Sequence, residues 1–249
     1  LYLPSFSILS SKQIGYFCIL KSKVMKSLYA FLLFSCIHSV SAQLKTITDK
    51  TTYPFWINVP EKESTEKQPI LIFLHGKSLS GTDLNRVRRY GVLRAMDKGR
   101  KIPAIVVAPQ LAKGGWNPDK VLEVLEYVQK NYNTDSTRVY VCGMSLGGYG
   151  TLHFAGKHAN KITAAVAICG GGKISDGCNL ATIPLWIQHG DKDYIVPMSE
   201  SEKIVNAIRK CNEKAKLIFT IIKGGNHGNV ENIFHQDAMY NWLFEQKKE

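Results

Sequence analysis

The chain has 249 residues, with 32 Lys and Arg against 20 Asp and Glu and a formal net charge of +12. That length suits one domain with a full hydrophobic core. The basic surplus reads as solubility: Arg86, Arg88, Arg89 and Arg94 lie close together, but no aromatic interleaving or nucleic-acid motif accompanies them, so no nucleic-acid partner is expected.

Residues 1–24 begin without a methionine and carry no readable pattern, and we read them as an upstream extension of the reading frame. Met25-Lys26 opens a positively charged start, Leu28 to Ile37 is an apolar run too short to span a bilayer, and Ser39-Val40-Ser41-Ala42 supplies the small residues a signal peptidase reads. Residues 25–42 are therefore expected to be a signal peptide and 43–249 a single exported catalytic domain, periplasmic or extracellular, without stable membrane insertion. A rival reading is a lipoprotein signal with Cys36 lipidated, although Phe34 fits that pattern poorly. Residues 1–42 hold four lysines and no acid, so from Gln43 onward 207 residues carry +8. Four cysteines remain there. Cys142 is expected to be a buried thiol; Cys169 and Cys178 flank a glycine-rich loop, and either could pair locally or with Cys211. Their spacing fits no zinc site, and neither a metal nor a cofactor is expected.

From Tyr53 the chain alternates strands and helices. Tyr53–Pro60 reads as an early strand. Pro69–Leu74 and Pro103–Ala108 are continuous apolar runs, the mark of strands buried on both faces. Leu84–Lys98 reads as a helix interrupted at Gly91, and Asp119–Asn131 has helical apolar spacing. Arg138–Cys142 is a strand leading into the helical segment Tyr149–His158. Ile162–Ile168, Ile183–Gln188 and Leu217–Ile222 are further strands, and Ser199–Lys210 and Glu231–Gln246 further helices. This alternation predicts an α/β fold: a mostly parallel twisted sheet with helices on both faces. Ligands bind such sheets at the carboxyl ends of the strands. His75-Gly76, Gln110, Ser145, Gly170–Gly172, Asp191–Asp193 and His227 all leave strands at that end.

Gly143-Met144-Ser145-Leu146-Gly147 joins a strand directly to a helix. A serine hydroxyl needs such a sharp, strained turn to be held exposed, and the flanking glycines are the small residues that turn admits. Ser145, an acid (Asp191 or Asp193) and His227 follow in chain order. With Leu74-His75-Gly76, His189-Gly190-Asp191-Lys192-Asp193-Tyr194-Ile195-Val196-Pro197 and Gly225-Asn226-His227-Gly228, these residues resemble the α/β-hydrolase superfamily over essentially all of Tyr53–Phe244. Within it the chain is similar to compact secreted esterases: polyhydroxybutyrate-depolymerase-like and feruloyl-esterase-like proteins and a related group of predicted peptidases. The resemblance implies Ser145 as nucleophile, His227 as general base, and Asp193 as the orienting acid, since the pattern His-Gly-x-x-Asp-x-x-Val-Pro places it there. Asp191 then has a loop role. The oxyanion donors implied are the backbone N–H groups of Leu146 and Lys77. His75 and His189 are expected to shape loops.

Trp116, Gln110, Tyr149 and Tyr194 are the candidates for contacting substrate, with a core position the alternative for Trp116. The segment between Ile168 and Ile183 is too short for a large cap domain, which favours exposed ester groups on small molecules or polysaccharides. The leading expectation is an exported serine esterase. The alternatives are a serine peptidase resembling the catalytic domain of prolyl oligopeptidases, for which this stretch shows neither a propeller nor paired glutamates to hold a peptide amino terminus, and a binding protein on a retained hydrolase scaffold. The acyl group, the alcohol and the oligomeric state are not encoded in any motif.

Overall fold

The computed structural model describes residues 44–60 and 66–248. The extension at 1–24, the signal peptide at 25–42 and Cys36 lie outside those residues. Among the described residues no helix is long and apolar enough to cross a membrane.

Eight strands form one sheet in the order β1-β2-β4-β3-β5-β6-β7-β8. They are β1 (Leu44–Ile47), β2 (Phe55–Asn58), β3 (Gln68–Leu74), β4 (Ile105–Pro109), β5 (Thr134–Met144), β6 (Ala164–Ile168), β7 (Leu185–Gly190) and β8 (Leu217–Ile222). β1 and β2 pair antiparallel and β2 joins β4 antiparallel, whereas β4, β3, β5, β6, β7 and β8 are mutually parallel. The helices are α1 (Val92–Asp97), α2 (Pro118–Asn131), α3 (Leu146–Lys157), α4 (Gly177–Leu180), α5 (Ser199–Cys211) and α6 (Asp237–Glu245).

Successive strand residues point to opposite faces, and both faces are buried. Ile70, Ile72, Leu74, Val139 and Val141 pack with α2, α3 and α5 through Val124, Leu152 and Ile204. Leu71, Phe73, Tyr140, Cys142 and Val166 face α1 and α6 through Leu93, Met239 and Leu243. The continuous apolar runs of the central strands serve these two layers at once. α2 illustrates how a single element is held. Asn117 caps it by accepting from the Asp119 and Lys120 amides, Pro118 occupies its first turn, and Val121, Val124, Leu125 and Val128 are fully buried. Each such aliphatic side chain contributes roughly 1.5–3 kcal/mol of burial.

The interruption expected at Gly91 is present, and only the part after it is α-helical: a 3-10 turn covers Leu84–Arg88 and α1 starts at Val92. Gly91 between them has φ 80°, and a Cβ there would lie 2.1 Å from the Phe73 ring, so the chain passes this point only as glycine and in a conformation no helix contains. Glu231–Gln246 is likewise broken, into a 3-10 stretch at Asn229–His235 and α6, with Gln236 extended between them. The buried residues jump from Phe234 to Met239, a step of five that a continuous helix could not keep on one face. The early strand is confined to Phe55–Asn58, and β1 before it carries no apolar alternation to announce it.

Cys178 and Cys211 form a disulfide joining α4 to the end of α5, while Cys142 and Cys169 are free and buried. Between β6 and β7 there is only a 3-10 turn and the four-residue α4, so no cap domain is inserted at that point.

Candidate active site

β5 ends at Met144 and α3 begins at Leu146, leaving Ser145 alone to turn the chain. It does so at φ 59° and ψ −124°, a conformation that costs a residue with a Cβ about 1–3 kcal/mol. The turn is closed by backbone packing: a Cβ on Gly143 would lie 2.4 Å from the Gly147 carbonyl oxygen, and Gly147 itself abuts the end of β3. The Ser145 amide donates to the Ile168 carbonyl at 2.9 Å, anchoring the turn to β6.

The loops after β7 and β8 bring the other two groups to this turn. The Ser145 hydroxyl lies 2.9 Å from His227 Nε2, and His227 Nδ1 lies 2.7 Å from Asp193 Oδ2. With Nδ1–H donating to the carboxylate, Nε2 is left to accept from the serine hydroxyl. The other carboxylate oxygen, Asp193 Oδ1, accepts from the Ile195 and Val196 amides, each at 2.9 Å. The Asp193 side chain is wholly buried and the His227 side chain 20% exposed, so solvent reaches the imidazole and not the acid. Burial alone would raise the Asp193 pKa, but the bonds from His227, the Val196 amide, Cys169 and the Ile195 amide outweigh it and hold the group below its ordinary value. Asp191 sits elsewhere: it is exposed, and its Oδ1 caps the Gly224 amide at 2.7 Å.

Leu146 follows Ser145 directly, and Lys77 follows Gly76 in the loop after β3. The loop after β3 passes directly beside the serine, since a Cβ on Gly76 would lie 3.4 Å from Ser145 Cβ. Leu146 opens α3 and Lys77 opens a 3-10 turn, so neither amide has an acceptor within its own helix. Among the described residues no backbone carbonyl outside these helices accepts from either.

The four candidate substrate contacts fare differently. Gln110 is 1% exposed, and its Nε2 donates to the Leu79 and Gly81 carbonyls, at 2.9 and 2.6 Å. Trp116 is 6% exposed, donates through Nε1 to the His75 carbonyl at 3.1 Å and packs edge-on against Tyr53 and His75. Both are corrected from substrate contacts to supports of the loops around the serine, because their polar hydrogens are already spent on backbone carbonyls. Tyr149 is half-buried, with its hydroxyl donating to Glu200 Oε2 at 3.1 Å. Burial, reinforced by Glu200, pushes its phenol up to about 12. Tyr194 is 85% exposed beside Asp193 and free to meet a ligand.

Two histidines form the second layer. His75 is fully buried, with Nδ1–H donating to Gly76 O at 2.8 Å and Nε2 accepting from the Leu111 amide at 3.1 Å. His189 is fully buried between Ser201 Oγ at 2.7 Å and the Val196 carbonyl at 2.9 Å, which braces the turn that carries Asp193. Sequence reasoning missed Tyr90, whose hydroxyl crowds Gly76 and lies 3.1 Å from Ser78 Oγ. It also missed Cys169 as a neighbour of Asp193. No local signal marks either residue.

Residues 111–233 match the model of the dienelactone hydrolase family. A bifunctional acetylxylan esterase/xylanase of Neocallimastix patriciarum is 32% identical over 90 residues, covering 36% of this chain and 13% of that protein. Acetylxylan esterase A of Aspergillus oryzae is 35% identical over 69 residues, covering 28% of this chain and 22% of that protein. The chain thus spans less than a quarter of the length of these curated relatives. Among solved structures, a thermostable esterase superposes with a TM-score of 0.72 at 28% identity, over 82% of this chain and 63% of that one. A ferulic acid esterase superposes with a TM-score of 0.62 at 17% identity, over 82% of this chain and 99% of that one, a likeness of fold.

Proposed function

We propose that the chain is an α/β-hydrolase, an exported serine hydrolase that cleaves carboxylic esters through a covalent acyl-enzyme. The observation that carries this reading is the unbroken line from Ser145 Oγ through His227 to Asp193, with contacts of 2.9 and 2.7 Å.

The steps follow from which atom holds which proton. Ser145 Oγ attacks the ester carbonyl while its proton passes to His227 Nε2. The imidazolium so formed keeps its Nδ1–H on Asp193, whose buried charge stabilises it. Negative charge gathers on the former carbonyl oxygen, and the Lys77 and Leu146 amides are the donors proposed to receive it. A donor of this kind is worth about 10²–10³ in rate. Collapse of the tetrahedral intermediate expels the alcohol, which takes the proton back from His227. Water then repeats the sequence on the acyl-serine and regenerates the hydroxyl.

The substrates we propose are acetyl or hydroxycinnamoyl esters carried on polysaccharides or small molecules. Two features support an open approach: only a 3-10 turn and the short α4 lie between β6 and β7, and Tyr194 stands exposed beside the acid. The disulfide between Cys178 and Cys211 supports export, since such bonds persist in oxidising compartments. The test is turnover of p-nitrophenyl acetate, methyl ferulate, acetylated xylan and a peptide amide, by the parent and by Ser145→Ala. Ester turnover that disappears in the variant is expected. Turnover that survives would remove Ser145 from the mechanism, and peptide turnover without ester turnover would make the protein a peptidase.

A further inference from the structure

Ester hydrolysis gives Cys169 no task, yet the fold places it against the acid. It follows β6 in a left-handed conformation, φ 46°, with its amide donating to the Gln188 carbonyl at 2.8 Å. The residue is wholly buried, and its thiol lies against the Asp193 carboxylate. A sulfur of Cys169, a carboxylate oxygen of Asp193 and a ring nitrogen of His227 all fall within 4.8 Å of one another.

Thiolate, carboxylate and imidazole are the ligand types taken by zinc and by similar thiophilic divalent ions, at about 2.0–2.3 Å. Tetrahedral ligands at that radius stand roughly 3.3–3.8 Å apart. The three groups therefore need to move by no more than about an ångström to share one ion. His227 is partly open to solvent, with its side chain 20% exposed, and provides the way in.

We propose that these residues form an inhibitory site for a thiophilic divalent cation of the Zn²⁺ class, held by Cys169 Sγ, an Asp193 oxygen and His227 Nδ1, with water in the fourth position. The protons balance as follows. Cys169 releases its thiol proton to solvent on binding. The proton on His227 Nδ1 is displaced, and the neutral ring carries it on Nε2 instead. Nε2–H then faces the Ser145 hydroxyl as a donor and cannot accept the serine proton. Asp193 is at the same time drawn from the imidazole to the cation. One binding event thus removes both the base and its orienting acid, and no redox partner is needed. The linear cysteine spacing hides this site because its ligands come from the ends of three different strands, β6, β7 and β8.

The effect on turnover rests on the hydrolase reading above, whereas the binding does not, and the experiment separates the two. Co²⁺ is titrated into the full-length protein and the thiolate-to-cobalt charge-transfer band in the near ultraviolet is followed. Zn²⁺ is titrated in parallel against p-nitrophenyl acetate turnover, each variant being scaled to its own uninhibited rate. The band is expected at one equivalent in the parent, in Ser145→Ala and in Cys142→Ala, and not in Cys169→Ser or His227→Ala. Cys169→Ser keeps a hydroxyl donor toward Asp193 and loses the soft ligand, so the Zn²⁺ concentration for half-inhibition is expected to rise by at least the roughly 10- to 100-fold that loss of an outer-shell partner costs. A parent without the band, a band that persists in Cys169→Ser, or equal zinc sensitivity in parent and Cys169→Ser would overturn the proposal. Should Cys169→Ser fail to fold, the parent spectrum and His227→Ala decide. A parent that shows the band yet hydrolyses no ester would leave the cation site standing and remove the hydrolase reading.

Discussion

His75 holds the Leu111 amide through an unprotonated ring nitrogen, Nε2, at 3.1 Å, in a position sealed from solvent. Its other nitrogen is committed to Gly76 O, and its own carbonyl receives the Trp116 indole. The loop that carries Gly76 and Lys77 past the serine is therefore pinned by a neutral imidazole. Protonating Nε2 would break the bond to Leu111 and bury a charge.

This predicts a specific acid sensitivity. Burial lowers the His75 pKa from 6.5 to about 4. Between those values the unfolded chain binds a proton that the folded chain refuses, so stability falls as pH drops from about 6.5 and levels off near 4. The loss is roughly 3 kcal/mol across the window. Urea unfolding of the parent and of His75→Gln at pH 7 and pH 4.5 checks it. The variant is expected to be less stable at pH 7 and to lose much less between the two conditions. The depressed Asp193 adds a second loss at lower pH: its contribution is present above its unfolded pKa and disappears as pH falls through the lower folded one.

The two acids of the β7 loop should separate cleanly. Asp193→Asn is expected to lower kcat by about 10⁴-fold, because an amide in that place cannot hold Nδ1–H and stabilise the imidazolium. Asp191→Asn keeps a carbonyl oxygen that can accept from the Gly224 amide and removes only an exposed charge, so kcat should stay within about threefold and stability fall by no more than about 1 kcal/mol. Steady-state rates on p-nitrophenyl acetate decide between them, and equal losses would mean that the acid has been misassigned.

Gly147 tolerates no side chain. A Cβ on it would stand 1.8 Å from the Leu74 carbonyl oxygen and 2.9 Å from that of His75. Relief requires moving β3 away from the serine turn. Gly147→Ala is expected to cost about 3 kcal/mol or more and to abolish ester turnover. A variant with parental urea midpoint and activity would show that the serine turn is looser than its geometry implies.

The Cys178–Cys211 bridge closes a separation of 33 residues. Loop entropy assigns it about 3–4 kcal/mol. Replacing both cysteines with alanine should lower the melting temperature by roughly 10 °C while leaving kcat within about twofold, since the bridge ties α4 to α5 away from the serine turn. Calorimetry with parallel rate measurements tests both halves of the statement.

Much of this architecture is written locally in the chain. Residues such as Ile70–Leu74 and Val139–Cys142 are apolar on both faces, and only a doubly covered sheet gives such runs a place, so strand positions and the α/β class follow from pattern alone. The glycines around Ser145 and the chemistry of Asp193 and His227 are equally visible, because each sits in a short motif at a strand end. What the residues do not state is which distant groups share a surface. Trp116 looks like a ligand platform until its indole is found on the His75 carbonyl. Cys169 looks like a disulfide candidate until Cys178 takes Cys211 and leaves it beside Asp193. The helix expected at Glu231–Gln246 divides where its apolar residues change register, a shift set by packing against the sheet and α1. Periodicity and motif report the neighbours of a residue along the chain, over a few residues at a time. The pairing of strand ends is decided by packing across the whole core, and that is where the partners of Ser145, Cys169 and His75 were chosen.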